Sequence, residues 1–389
     1  MLNPTKLISA ETRSNVDGLL MFACFGLLII GFVMVISASL HLGVKMANDT
    51  SHYPFKQFFH IVLGLVVAGF VMKTPIQAWE KWGKPLFIVG VVLLLIVLIP
   101  GVGIKVNGSI RWLSILGLRV QVSEVMKLIS VVYMAGYITR HGDHVRHSRV
   151  GLIRPMGWLS LACGLLLLEP DFGSVVVIVV IAMGMMFLAG ARLYQFLVLT
   201  MLLSFAAIFL VYWSPYRLAR VLSFSDPWAD ARNTGFQLTQ ALISFGRGEF
   251  FGVGLGNGIQ KLFYLPEAHT DFLFSVLGEE LGLVGVIAIV GLFSILVLRA
   301  FAIGELAEKR DETFSALVAY GLGIWFGFQA FINMGVNMGM LPTKGLTLPL
   351  MSYGGGSMIV MCGAMALLFR VQYELNSNNR SSSVVGSQT

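Results

Sequence analysis

The chain has 389 residues, of which 56% are hydrophobic and only 12% charged, and its mean hydropathy is +0.81. That much apolar side chain excludes a soluble globular protein of this length. The net charge of +7 is read as contact with anionic lipid, not with nucleic acid.

Apolar runs of roughly 18 or more residues recur, which is the mark of membrane-spanning helices. Because the runs are continuous, a helix bundle is predicted over a closed barrel. Residues 1–16 are polar and form a short N-terminal segment. The first run, Leu19 to Ile36, ends in Ser37-Ala38-Ser39, which imitates a signal-peptidase site. It is longer than the ~7–15 residues of a signal core, so an uncleaved first span is expected. Further spans are predicted at 58–72, 85–100, 121–139, 156–168, 172–189, 193–213, 272–298, 313–339 and 352–372. The expected fold is therefore an all-α polytopic membrane protein, one ten-helix domain over 17–374 with both ends on the same side. The short fifth span meets the sixth at Glu169-Pro170-Asp171, which reads as a tight hairpin tip. Residues 214–270 form the longest polar connection, between the seventh and eighth spans. Leu238, Ala241, Leu242 and Phe245 in it recur at helical spacing, as do Leu218, Val221 and Leu222. These suggest amphipathic helices lying at the interface. The run Gly252 to Gly258 lacks the strand–turn–helix context of a nucleotide loop and is expected to be a flexible re-entrant turn. Residues 375–389, rich in Ser and Asn, are expected to be a disordered tail.

Orientation follows from Lys and Arg. With the N-terminus inside, the inner segments carry 15 such residues and the outer segments 11, five of the latter in the 214–270 loop. The positive-inside tendency thus puts both termini in the cytoplasm. His141, His144 and His147 then fall in an inner, solvated basic loop. Cys24, Cys163 and Cys362 lie singly within apolar runs, so they offer neither a disulfide framework nor metal spacing.

The costly polar residues gather on the outer side. They are Asn107, Ser109 and Arg111; Gln121, Glu124 and Lys127; Glu169 and Asp171; Glu267, His269 and Asp271; Asn333, Asn337 and Lys344; and Ser352 to Ser357. Such a one-sided cluster suits work on a substrate held in the outer leaflet better than an ion pathway through the full depth. Each residue also has a plainer reading. Asp271 and Asp171 suit helix starts, where carboxylates are favoured. Glu124 and Lys127, spaced i,i+3, suit an ion pair. Lys344 suits an interfacial snorkelling lysine, His269 a structural residue, and Ser352 a helix-entry turn.

Two long stretches, GRGEFFGVGLGNGIQKLFYLPEAHTDFLFSVLGEELG over 246–282 and NMGMLPTKGLTLPLMSYGGGSM over 337–358, resemble the SEDS family of bacterial cell-wall proteins. The resemblance extends from Ser37 to Arg370, and QALISFGRGEFFGVGLG and KGLTLP are most similar to the division branch of that family. It implies a septal peptidoglycan glycosyltransferase of the bacterial inner membrane that polymerises lipid II. It implies a class B penicillin-binding protein, the septal transpeptidase, and other divisome proteins as partners. The family's essential aspartate corresponds to Asp271, its NGSIRW pattern to Asn107–Trp112, and its fourth-span pair to Glu124 and Lys127. Asp271 is then the expected general base. Arg111, Lys127 and Lys344, with a divalent cation such as Mg2+ or Mn2+, would stabilise the departing pyrophosphate, while no compact metal-ligand set is visible. Glu124, Asp171, Glu267, His269, Ser352 and Asn107 complete the expected substrate contacts. Two rival readings are a lipid II flippase and a divisome scaffold without catalysis.

Overall fold

The computed structural model describes residues 17–386 except 107–108, 116, 149–150, 152, 234 and 344. Twelve helices occur among the described residues: α1 Gly18–Ala47, α2 His52–Lys73, α3 Ile76–Leu98, α4 Val122–His147, α5 Ile153–Leu168, α6 Phe172–Leu188, α7 Leu193–Tyr212, α8 Pro215–Ser225, α9 Phe236–Gly248, α10 Leu273–Glu308, α11 Thr313–Asn337 and α12 Gly355–Gly386. A helix lies at each of the ten predicted span positions. Eight are long and apolar enough to cross a bilayer, and α5 and α6 are shorter apolar helices. The chain is a multi-pass membrane protein. The two amphipathic segments of the 214–270 connection form α8 and α9.

Three expectations are corrected. A small antiparallel sheet, β1 Ile104–Val106, β2 Ser109–Ile115 and β3 Leu118–Gln121 in that spatial order, joins α3 to α4, so the fold is not purely helical. β3 pairs with β2 through Trp112 opposite Gln121 and Leu113 opposite Val120, and runs straight into α4. The predicted inner loop at His141–His147 continues α4, with a kink at His141. The last helix runs on to Gly386, past the expected tail boundary at 375.

The bundle is organised around α4 and α11. In their most apolar stretches 83% and 72% of residues are buried within the protein, against 6% for α7. Glu124 and Lys127 on α4 therefore face protein, which is where a membrane tolerates them, while α7 lies at the lipid-facing edge. At the first helix, Asp17 caps the backbone N–H groups of Leu19 and Leu20 and pairs with Arg299 of α10. Its own N–H donates to Gln372 of α12 at 3.0 Å. One cap thus ties three helices together at the end of the bundle away from Asp271.

α10 is not one continuous helix. Gly282 interrupts it with φ 64 and ψ −162. A Cβ there would lie 2.4 Å from the Gly252 nitrogen, so only glycine fits. The opened turn takes its partners from the glycine-rich segment. Leu283 and Val284 donate to the carbonyls of Glu249 and Phe250, and Val253 and Gly254 donate to those of Glu279 and Glu280. This satisfies backbone groups that lipid could not. The segment is accordingly a hydrogen-bonded splice and not the flexible turn expected.

Two buried acids fix the splice. Glu279 accepts from the N–H groups of Ile259 and Gln260 and pairs with Arg247 at 3.1 Å. Glu280 accepts from Ser37 at 2.7 Å, Lys261 at 2.5 Å and the Gly256 N–H at 3.0 Å. Ser37, read in the sequence as part of an imitation cleavage site, is thus a member of a buried polar network.

Candidate active site

The short segment before α10 holds Asp271, and its position is set from the backbone. The Asp271 carbonyl accepts from the side-chain amides of Asn333 and Asn337, both at 2.9 Å. Asn333 also donates to the Leu346 carbonyl at 2.6 Å, and the Asn337 oxygen accepts from Ser275. The two α11 asparagines therefore clamp the start of α10 to the 341–354 segment. Gly345 makes room for the acid: a Cβ added to it would lie 2.9 Å from Asp271 Oδ2. Asparagines one helical turn apart in an apolar helix were visible in the sequence. Their clamping role was not, because it depends on the backbone of a distant segment.

Electrostatics around Asp271 come from three separate stretches of chain. Burial and then Glu267 push its carboxyl up to about 7, while Arg220 of α8 and Arg111 of β2 oppose that rise. Arg220 donates to the Thr343 carbonyl at 3.4 Å, which places it beside the segment that carries Gly345. It was missed in the sequence because a basic residue on an amphipathic helix reads as a membrane-surface contact. Glu267 adopts φ 55, and its carboxylate accepts from Thr270 at 2.8 Å.

His269 packs edge-on or tilted in a ring cluster with Tyr53 and Tyr353, each pair of centroids 5.3–5.5 Å apart. Its carbonyl accepts from the Tyr353 N–H at 3.0 Å. Burial holds its imidazole below the usual range against the pull of Glu267. Arg111 grips the α5–α6 tip, donating to the Glu169 carbonyl at 3.0 Å and the Pro170 carbonyl at 2.5 Å.

Other predicted contacts prove to be internal. Lys127 is fully buried. It donates to Glu124 and to Gln329 of α11, both at 2.7 Å, and faces the Trp325 ring at 5.6 Å. Two of its three donors are thus taken inside the protein, as the ion-pair reading of Glu124 and Lys127 expects. Gln329 passes the connection on by donating to the Thr347 carbonyl at 2.9 Å. Asp171 caps α6, accepting from the N–H and hydroxyl of Ser174 and from Gln121. Ser352 is buried, and its hydroxyl accepts from the Leu348 N–H at 2.9 Å. These four residues shape the site, and of them Glu124 keeps one carboxylate oxygen, Oε2, without a hydrogen-bond partner among the described residues. Asn107 and Lys344 lie outside the described residues. Among the described residues no group of three His, Cys, Asp or Glu is placed to hold a metal ion.

Arg111, the hairpin tip, Glu124 and Lys127, Asp271 and the 341–354 segment thus form one linked assembly at one end of the bundle. Its chemical capacity is a carboxylate poised near neutral pH, two nearby guanidinium groups, and an aromatic wall.

Known proteins match this chain along nearly its whole length. A profile described as cell cycle protein, for the family of FtsW, RodA and SpoVE, matches residues 18–377. A probable peptidoglycan glycosyltransferase FtsW from Methylomonas methanica is 70% identical over 369 residues, 95% of each chain. Its counterpart from Methylococcus capsulatus is 59% identical over 362 residues, covering 93% of this chain and 91% of the relative. Among solved structures, one described as structural coordination of polymerization and crosslinking by a peptidoglycan synthase complex is 28% identical. It superposes with a TM-score of 0.75 over 92% of this chain and 98% of that one. The rod shape determining protein RodA of Thermus thermophilus is 27% identical with a TM-score of 0.68, covering 92% and 96%.

Proposed function

Because the chain belongs to the cell cycle protein family of FtsW, RodA and SpoVE, we propose that it is a peptidoglycan glycosyltransferase that polymerises lipid II at the division septum. Asp271 serves as its general base. The observation that carries this reading is the carboxyl of Asp271, which lies against Gly345 and is raised to about 7 by burial and Glu267 with Arg220 and Arg111 opposing. A base works best when its pKa lies near the operating pH.

The reaction joins a sugar hydroxyl of one lipid-linked unit to the anomeric carbon of another. Asp271 takes the hydroxyl proton as the new C–O bond forms. The bond from the anomeric carbon to the lipid pyrophosphate breaks, and the pyrophosphate leaves with the electron pair. A single displacement inverts the anomeric centre. Arg111 and Arg220, with Lys344 one residue before Gly345, offset the charge gathering on the pyrophosphate oxygens. Glu267 would be the carboxylate to hold a divalent ion such as Mg2+ or Mn2+, which would add charge stabilisation at the departing pyrophosphate. An apolar groove of about 310 Å³ between α1, α2 and α12 reaches Leu350, and it suits a polyprenyl tail.

The short α5–α6 hairpin crosses with the eight long helices, which makes ten spans, and both termini lie in the cytoplasm. Asp271 then faces the outer leaflet. The partner is a class B penicillin-binding protein, by likeness to the solved synthase complex.

The test is polymerisation of labelled lipid II by the purified protein, with and without its transpeptidase partner. Wild type makes glycan polymer, and Asp271→Asn makes none while keeping its melting temperature. Polymer formed at the normal rate by Asp271→Asn would remove the base from the scheme. Lipid II translocation by wild type without polymer would support a flippase instead, and neither activity would leave a scaffold.

A further inference from the structure

We propose that the end of the bundle opposite Asp271 binds one anionic phospholipid in a cavity between α3, α4 and α5. The cavity is about 660 Å³, within the range of small-molecule sites. It lies outside the linked assembly around Asp271.

Its lining is graded in depth. On each helix a cation stands nearer the end and an apolar or aromatic residue lies deeper. Lys84 precedes Phe87 and Ile88 on α3, Arg140 follows Tyr133 on α4, and Arg154 precedes Trp158 and Leu161 on α5. That is the polarity of a lipid, with its charged head outward and its chains inward. No Asp or Glu lines the cavity. Lys84, Arg140 and Arg154 are in no ion pair among the described residues, and Arg140 alone donates a hydrogen bond, to the Glu80 carbonyl at 3.3 Å. Three uncompensated cations at a helix-end cavity complement a phosphodiester whose headgroup carries no positive charge. Ile88 and Trp158 are each 50% exposed, so the cavity opens sideways toward the acyl region, where an interfacial tryptophan is at home. On the orientation set by Lys and Arg, this is the cytoplasmic leaflet, in which such a lipid is at hand. A lipid seated there touches three helices at once, α4 among them, and so bears on the helix that carries Glu124 and Lys127.

Trp158 serves as a local reporter. The experiment adds phosphatidylglycerol with brominated acyl chains, or brominated phosphatidylcholine, to the purified full-length protein in detergent. Quenching of Trp158 is isolated by subtracting the signal of Trp158→Phe. Wild type is expected to reach half-quenching at an at least ten-fold lower concentration of the anionic lipid. The Lys84→Gln/Arg140→Gln/Arg154→Gln variant is expected to lose that preference to within about two-fold. Arg154→Gln alone keeps the fold in play, since Arg154 is exposed and makes no hydrogen bond or ion pair among the described residues. It is expected to weaken anionic quenching roughly five-fold. An undiminished preference in both variants would overturn the proposal. Displacement of the brominated lipid by a polyprenyl diphosphate at lower concentration than by unlabelled phosphatidylglycerol would also overturn it, by making the cavity a substrate site.

Discussion

At the scale of single residues, two acids at the same end of the molecule are both raised, with different consequences. Asp271 is lifted to about 7, so it stands near half-ionised at neutral pH and can exchange a proton. Its setting depends on Gly345, where any side chain would press on Oδ2. Gly345→Ala is therefore expected to cut polymerisation roughly ten- to a hundred-fold, since small displacements of a reacting group are costly. Its melting temperature should be unchanged, and full activity would show that the carboxylate has room to move. Glu169 is 1% exposed, and neither of its carboxyl oxygens has a hydrogen-bond partner. Burial, and then Asp171, raise it from 4.5 to about 8 against Arg111. Its folded pKa lies above its unfolded value, so its contribution to stability is complete below 4.5 and is lost as pH rises through about 8. Glu169→Gln should remove that part of the pH dependence, melt no lower than wild type at pH about 9, and still polymerise. A lower melting temperature of the variant at that pH would mean that the carboxylate itself is needed.

Among the elements, α4 and α11 are held by a buried pair that the i,i+3 spacing of Glu124 and Lys127 made legible. What the spacing left open was whether they face substrate. Gln329 narrows that, by taking a second donor of Lys127. Glu124→Ala leaves a buried ammonium uncompensated and is expected to destabilise by about 3–5 kcal/mol. Glu124→Met with Lys127→Met should recover most of that loss in thermal melts, because Gln329 Oε1 still accepts from Trp325 at 2.9 Å. A double variant as unstable as the single one would refute a mainly structural pair.

Helix positions were legible because apolar runs of span length have few alternatives in a membrane. The sheet was not, although its signal was present. Ser109, Ile110, Arg111 and Trp112 alternate polar with apolar, and Asn107-Gly108 is a hairpin dipeptide. Four residues of period-two pattern are simply outweighed by the apolar runs beside them. The splice in α10 was hidden for another reason. Gly282 sits in a sequence that otherwise reads as uninterrupted helix, and its partners lie some 30 residues upstream in a stretch whose glycines suggest freedom.

For the molecule as a whole, one carboxylate is tuned by residues that only the complete fold brings together. The LPEAHTDF stretch and the resemblance it carries pointed to Asp271. Arg111 was found through its motif, whereas Arg220 required the path of α8 over the 341–354 segment. On the proposed mechanism the deprotonated Asp271 carboxylate limits glycan extension. The direct measurement is the pH dependence of kcat/KM for lipid II polymerisation by wild type and by Arg220→Gln. Wild type should gain rate with rising pH through an inflection near 7, because the base must be ionised. Arg220→Gln removes a charge that lowers that pKa, so its inflection should move to higher pH. A wild-type profile that is flat from about pH 5.5 to 8.5, or an inflection that Arg220→Gln leaves in place, would contradict the claim.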